Sequence, residues 1–312
     1  MIDFYSISFL ITKTDLKLQE PYKIDLEHCI RRATKKEVSD IERLIIPYTR
    51  LSMDSSAYVS PYRLFRQEDR SIQELPESKW HYWVLENKKE HLPPPELINA
   101  FLLSNPELDF GPSISYKNSK LFGFSPPNYY DIHKLRGILF NIDDTVSISN
   151  DLLEFVSNCY LNIKDIGDRH PFITDAITRY RQSRSLVQGA NLKIVGYFSV
   201  IELLITHSPR LNESLDSITH QLVSKIILLS KQYNNPVCPE DYFGSITTKK
   251  LWKKLYSFRS AIAHGGNAKF SEREFESLAG MKNVEEFLRE NIKQLILLAL
   301  IKPDFLIDLK EC

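Results

Sequence analysis

A chain of 312 residues with 43% hydrophobic and 26% charged side chains has the length of about two domains and enough apolar sequence to give each a core. Its 40 lysines and arginines balance its 40 aspartates and glutamates, which excludes bulk electrostatic binding to nucleic acid and confines any such contact to a local patch. The four cysteines, Cys29, Cys159, Cys238 and Cys312, form no C-x-x-C pair, so neither a metal site nor a disulfide scaffold is expected, and the chain reads as a cytoplasmic protein with reduced thiols.

From the N-terminus, residues 1–12 alternate in the manner of a strand and lack the charged start and apolar run of a signal peptide. Strand-like aromatic pieces are predicted at 4–11, 80–85 and 120–124. A helix is expected over 35–46, because Thr34 and Glu37 have the spacing of a capping box. Another is expected over 96–103, behind Pro93, Pro94 and Pro95, which a helix tolerates ahead of it but not inside. Residues 1–145 therefore read as an α+β domain with no phosphate loop, nucleophile elbow or metal spacing.

From residue 150 strand alternation gives way to helical periods, and residues 150–312 read as an all-α helical bundle. A linking helix over 151–161 precedes helices at 172–184, 191–206 and 217–233, of which the second is apolar nearly all round and should be the buried centre. Leu251, Leu255, Phe258 and Ile262 make the next apolar stripe, and Val284, Phe287, Leu288, Ile292, Leu295 and Ile296 the last. The longest apolar runs, such as 295–301, fall far short of a bilayer span, so no membrane partner is expected.

The segment 255–266, LYSFRSAIAHGG, concentrates the chemistry. Gly265 and Gly266 should stop the helix at or near His264, because a left-handed residue closes the last helical turn. Arg259 and His264 are five residues apart, about 140° around an ideal helix, so they converge only if the end frays or a second chain contributes. Histidine titrates at about 6.5 and can pass a proton at neutrality, while the planar guanidinium suits two phosphate oxygens. Lys249, Lys250, Lys253 and Lys254, one to three turns earlier, are candidate contacts to an RNA backbone, although a solvated helix face explains them equally well. Arg179, Arg181 and Arg184 are a weaker basic cluster, and Trp80, Tyr82 and Trp83 read as core before they read as a base-stacking platform.

This segment resembles the signature of the Apea-like branch of the HEPN superfamily, an R-x4-6-H pattern near the end of a late helix. The resemblance extends over about residues 150–305 and includes Glu202, an acidic residue in the apolar helix 194–206. It implies a homodimer in which two such motifs share one cleft. It also implies a metal-independent endoribonuclease without cofactor, active in bacterial antiviral defence, abortive infection or stress response. Arg259 and His264 fall on the two motif positions, and Glu202 and Ser260 would support them; Ser260 stands where active members often carry Asn, Asp or His. RNA would be the substrate, an antitoxin or other regulatory protein a possible partner, and the N-terminal domain a sensor or target selector. The alternative is a non-catalytic HEPN module that dimerises or binds nucleotide or RNA. A third reading is a helical adaptor in which Arg259 simply pairs with Glu202 and His264 simply caps its helix.

Overall fold

A computed structural model of the protein describes residues 4–16, 21–49, 60–89, 92–167, 169–208, 217–266 and 268–312. They form two compact units, Met1–Leu161 and Asn162–Cys312. In chain order the first unit contains β1 (Phe4–Leu10), β2 (Thr14–Leu16), β3 (Tyr22–Lys23), β4 (His28–Arg32), α1 (Lys35–Leu44), β5 (Leu64–Arg66), β6 (Ile72–Glu74), β7 (Trp83–Asn87) and α2 (Pro95–Leu103). It continues with β8 (Phe110–Lys117), β9 (Lys120–Ser125), α3 (Tyr129–Phe140), β10 (Val146–Ile148) and most of α4 (Asn150–Ile166).

Six strands pair antiparallel in the order β3-β4-β7-β1-β8-β9. Alternation along β1 turns Ile7 and Phe9 to the side where Ile41, Tyr62, Tyr82, Ile114 and Leu135 make the core. The opposite side carries Ser8, whose Oγ lies 2.7 Å from Ser113 Oγ. The capping box at α1 forms as expected: the Glu37 N–H donates to Thr34 Oγ1, and the Thr34 N–H donates to Glu37 Oε2 at 2.7 Å. Glu37 also receives two 2.8 Å bonds from Arg31, which donates a third to Glu86, so one guanidinium ties β4, α1 and β7 together. Tyr82 and Trp83 are buried, and Trp80 lies half-buried beneath the Arg63 guanidinium, so these aromatics pack and do not form a base platform.

The second unit comprises the end of α4, α5 (Pro171–Arg184), α6 (Asn191–Ile205), α7 (Ile218–Ser230), α8 (Glu240–Phe243), α9 (Thr248–Ala263), α10 (Met281–Ile301) and α11 (Pro303–Glu311). Among the described residues no strand follows Ile148. An α+β region therefore precedes a helical one, as the patterns predict, but the compact units divide at Leu161 and Asn162, inside α4, and not near residue 145. The all-round apolar α6 is central: it packs against α5, α7, α9, α10 and α11 and buries Ile194, Tyr197, Phe198, Ile201 and Leu204. α11 was not foreseen; it opens on Pro303, which is tolerated at a first helical position. Its Lys310 Nζ donates to Leu203 O at 2.8 Å, while Lys225 Nζ and His207 Nδ1 bond to Lys310 O. These bonds clamp the C-terminal ends of α6 and α11 and so steady the turn that carries Glu202.

Among the described residues no helix is long and apolar enough to cross a membrane.

Candidate functional site

The end of α9 is fixed by its sequence. Leu251, Trp252, Leu255 and Phe258 are buried; Trp252 meets Phe198 edge-on and Phe287 at a tilt, and Phe258 meets Phe275 edge-on and Phe270 at a tilt. His264 is the helix cap, with φ −91° and ψ 13°, and its N–H donates to Ser260 O at 3.0 Å. The next two N–H groups close a Schellman motif, Gly265 to Ile262 O at 3.1 Å and Gly266 to Ala261 O at 2.7 Å. Both glycines are required: Gly265 has φ +74°, and a Cβ on Gly266 would stand 2.8 Å from Ala261 O. The helix thus ends where its sequence says, and the imidazole of His264 stands exposed on its last turn with no hydrogen bond or ion pair among the described residues.

Arg259 points elsewhere. Its Nη2 donates to Glu202 Oε2 at 3.0 Å, with side-chain exposures of 21% and 20%. Among the described residues this is the one bond of the pair, and Arg259 Nε and Glu202 Oε1 are buried without hydrogen-bond partners there. Burial pushes the Glu202 carboxyl above the usual carboxylate range, opposed by the charge of Arg259 and the hydroxyl of Tyr256. Tyr256, one turn before Arg259, places its ring centroid 5.5 Å from the guanidinium carbon, near enough to Glu202 and Thr219 to feel both electrostatically. Burial, then the Glu202 charge, raise this phenol, which therefore stays protonated and able to donate. The ion pair joins α9 to α6, and both helices also pack against α7.

Arg259 and His264 are not joined by a hydrogen bond or ion pair in one chain. Lys249, Lys253, Ser260 and His264 fall within about 60° of one another on an ideal helix, and Arg259 lies about 140° from His264. Lys249, Lys250 and Lys253 are exposed and Ser260 half-buried. Lys254 instead bonds to Glu274 O, tying α9 to the segment before the last long helix. His207 is engaged by Lys310 O and Gln221, and His220 is exposed at the start of α7. No group of histidine, cysteine or carboxylate side chains among the described residues has the makings of a metal site. All four cysteines are free, Cys29 and Cys159 buried, Cys238 and Cys312 exposed.

The signal for Glu202 was a lone carboxylate in an apolar helix, which needs a partner. Tyr256 and Thr219 were missed in the sequence. Tyr256 was recoverable from its i, i+3 spacing to Arg259, but nothing local marks Thr219.

Comparison with known proteins returns no match: no family model, curated protein or solved structure matches the chain.

Proposed function

We propose that this protein is a metal-independent endoribonuclease of the HEPN type, working as a homodimer with Arg259 and His264 of both copies lining one cleft. The observation that carries the reading is the end of α9. There, an exposed imidazole with no partner among the described residues, on a two-glycine cap, shares a helix with a guanidinium held by a single carboxylate that is incompletely bonded among those residues. An ion pair that served stability alone would be expected to fill its buried donors and acceptors, since each unfilled one costs about 1–3 kcal/mol.

RNA brings its own nucleophile. The imidazole of His264 takes the proton from the 2′-OH; the 2′-oxygen attacks phosphorus as the bond to the 5′-oxygen breaks, and the imidazolium so formed returns the proton to that leaving oxygen. Arg259 donates to the non-bridging oxygens as negative charge builds on them. The products are a 2′,3′-cyclic phosphate and a 5′-hydroxyl. Lys249 and Lys253, on the same helical face as His264, guide the backbone, and Ser260 supplies a hydroxyl between them and the cap. The N-terminal unit selects the target or senses the trigger, in defence or stress, under control of a regulatory protein.

A second reading has one observation in its favour: Arg259 is already engaged by Glu202, as in a binding or dimerisation module that does not turn over. End-labelled RNA incubated with excess chelator separates the two. Cutting by the wild type to cyclic phosphate ends, abolished in Arg259→Ala and in His264→Ala, supports the nuclease. RNA binding without cutting by a folded, dimeric wild type refutes it in favour of the module.

A further inference from the structure

One corner of the six-stranded sheet is left bare. Facing residues of paired strands share a side of the sheet, so the register Phe4↔Lys117 and Lys117↔Lys120 sets one row across β1, β8 and β9. Two residues along on the same side, Ser6 and Ser115 are buried; at the row the cover ends, and Lys117 and Lys120 are exposed. Phe122 joins them. The β8–β9 ladder slips between Ser115 and Tyr116, and the residue left over on β9 is Phe122, 57% exposed. Its ring meets Phe4 edge-on at 6.0 Å, with Lys117 Nζ 5.5 Å from its centroid.

The backbone holds the two lysines together. Asn118 and Ser119 have φ of 48° and 59°, as in a two-residue type I′ turn, so Lys117 and Lys120 flank the turn and face each other. Like charges directly opposite repel. Lys36 of α1 donates from Nζ to Ser119 O and brings a third ammonium to the hairpin. None of the three makes an ion pair among the described residues, and Asp40, one turn on from Lys36, is already engaged by Arg43 and Tyr116. A lysine that only kept other strands off the sheet edge would need neither a like charge opposite it nor the exposed Leu121 and Phe122 beside it.

We propose that this corner binds single-stranded nucleic acid: a base stacks on Phe122, and Lys117, Lys120 and Lys36 take the phosphates that flank it. The occupant must bring regularly spaced negative charge together with flat apolar groups, and a single strand carries one of each in every nucleotide. An acidic peptide supplies the charge without the flat groups. A bilayer would call for apolar residues at the hairpin tip, where Asn118 and Ser119 stand. A chain with no net charge holds nucleic acid through a local patch of this kind. The proposal concerns binding by the N-terminal unit and stands apart from the cutting assigned to Arg259 and His264.

The test is binding of fluorescein-labelled oligodeoxythymidine of about 12 nucleotides to the full-length protein, followed by anisotropy over a range of salt. DNA lacks the 2′-OH, so the probe survives whether or not the protein is a nuclease. Lys117→Ala and Lys120→Ala, both surface changes, should each lower the salt slope by about 0.7, the share of one phosphate contact on a single strand. Phe122→Leu should keep the slope and weaken binding about tenfold, within the range for one lost base stack. A probe carrying 5-iodouracil should crosslink to the peptide that contains Phe122, mapped by mass spectrometry, which separates this surface from the Lys249 and Lys253 row. Slope and affinity unchanged in all three folded variants would overturn the proposal, as would a wild type that does not bind or a crosslink confined to the C-terminal unit. An oligoglutamate of equal charge that competes as well as unlabelled oligonucleotide would also overturn it. So would binding to phosphatidylserine vesicles that Phe122→Leu weakens while the oligonucleotide affinity stays in place.

Discussion

Replacing the Glu202–Arg259 pair with apolar side chains should cost far less stability than breaking it. The pair makes one 3.0 Å bond between side chains about one-fifth exposed, and leaves Nε and Oε1 buried and, among the described residues, unbonded. A hydrogen bond to a charged group contributes about 1.5–3 kcal/mol, and desolvation of two ions opposes it. The raised Glu202 carboxyl gives the sign of the balance, because burial outweighs what Arg259 and Tyr256 return. A carboxyl raised on folding contributes stability that is fully present below its unfolded pKa and is lost as pH rises through the folded value. At pH 7 the charged pair therefore adds little net. Arg259→Met alone leaves the Glu202 charge uncompensated and should cost about 2 kcal/mol; Glu202→Leu alone should cost about 1, since Arg259 keeps an exposed edge. The double variant should lie within about 1 kcal/mol of wild type. Urea unfolding of the full chain, followed through the transition of the helical unit at pH 7, gives the cycle. The same experiment under acid should show the wild type gaining on Glu202→Gln as Glu202 takes up its proton. A double variant that loses the sum of the two single losses would show that the pair exists for stability, and would refute the claim that it is kept for the site.

Two further outcomes follow from α9. Gly265→Ala should cost about 1 kcal/mol, the penalty of a left-handed conformation, and Gly266→Ala at least as much because its Cβ meets a backbone carbonyl; thermal unfolding and the His264 imidazole signals by NMR report both, and two silent substitutions would mean that the cap does not hold His264. Lys249→Ala and Lys253→Ala should each lower the salt slope of RNA binding by about one, whereas Lys254→Ala should leave that slope alone and weaken the docking of the segment around Glu274. Equal slopes for all three would mean that the exposed lysine row is not the RNA face.

What could be read in the sequence was local. Thr34 and Glu37 announce a helix start, and Gly265-Gly266 a helix end, because a cap is specified by a few adjacent residues with strict backbone demands. The uniform apolarity of α6 likewise foretold its central place. Strands were legible only as fragments. The 80–85 piece begins as strand only at Trp83, and the order β3-β4-β7-β1-β8-β9 depends on pairings between residues up to about a hundred positions apart, which no local pattern encodes. The parallel pairing of β2 with β10 was invisible for the same reason, each strand being three residues long. At the site, the chemistry of Arg259 and His264 could be read from residue type and spacing, but their environments could not. Arg259 turns to Glu202, 57 positions earlier, and Lys254 leaves the basic row for a carbonyl beyond the helix.

The most direct test of the account mixes Arg259→Ala chains with His264→Ala chains. Neither variant should cut RNA alone. If the cleft is shared, exchange of subunits in the presence of chelator should restore cutting to cyclic phosphate ends, because the mixed dimer holds an intact Arg259 on one copy and an intact His264 on the other. Mixed dimers that form and remain inert, beside an active wild type, would contradict a site built across two chains.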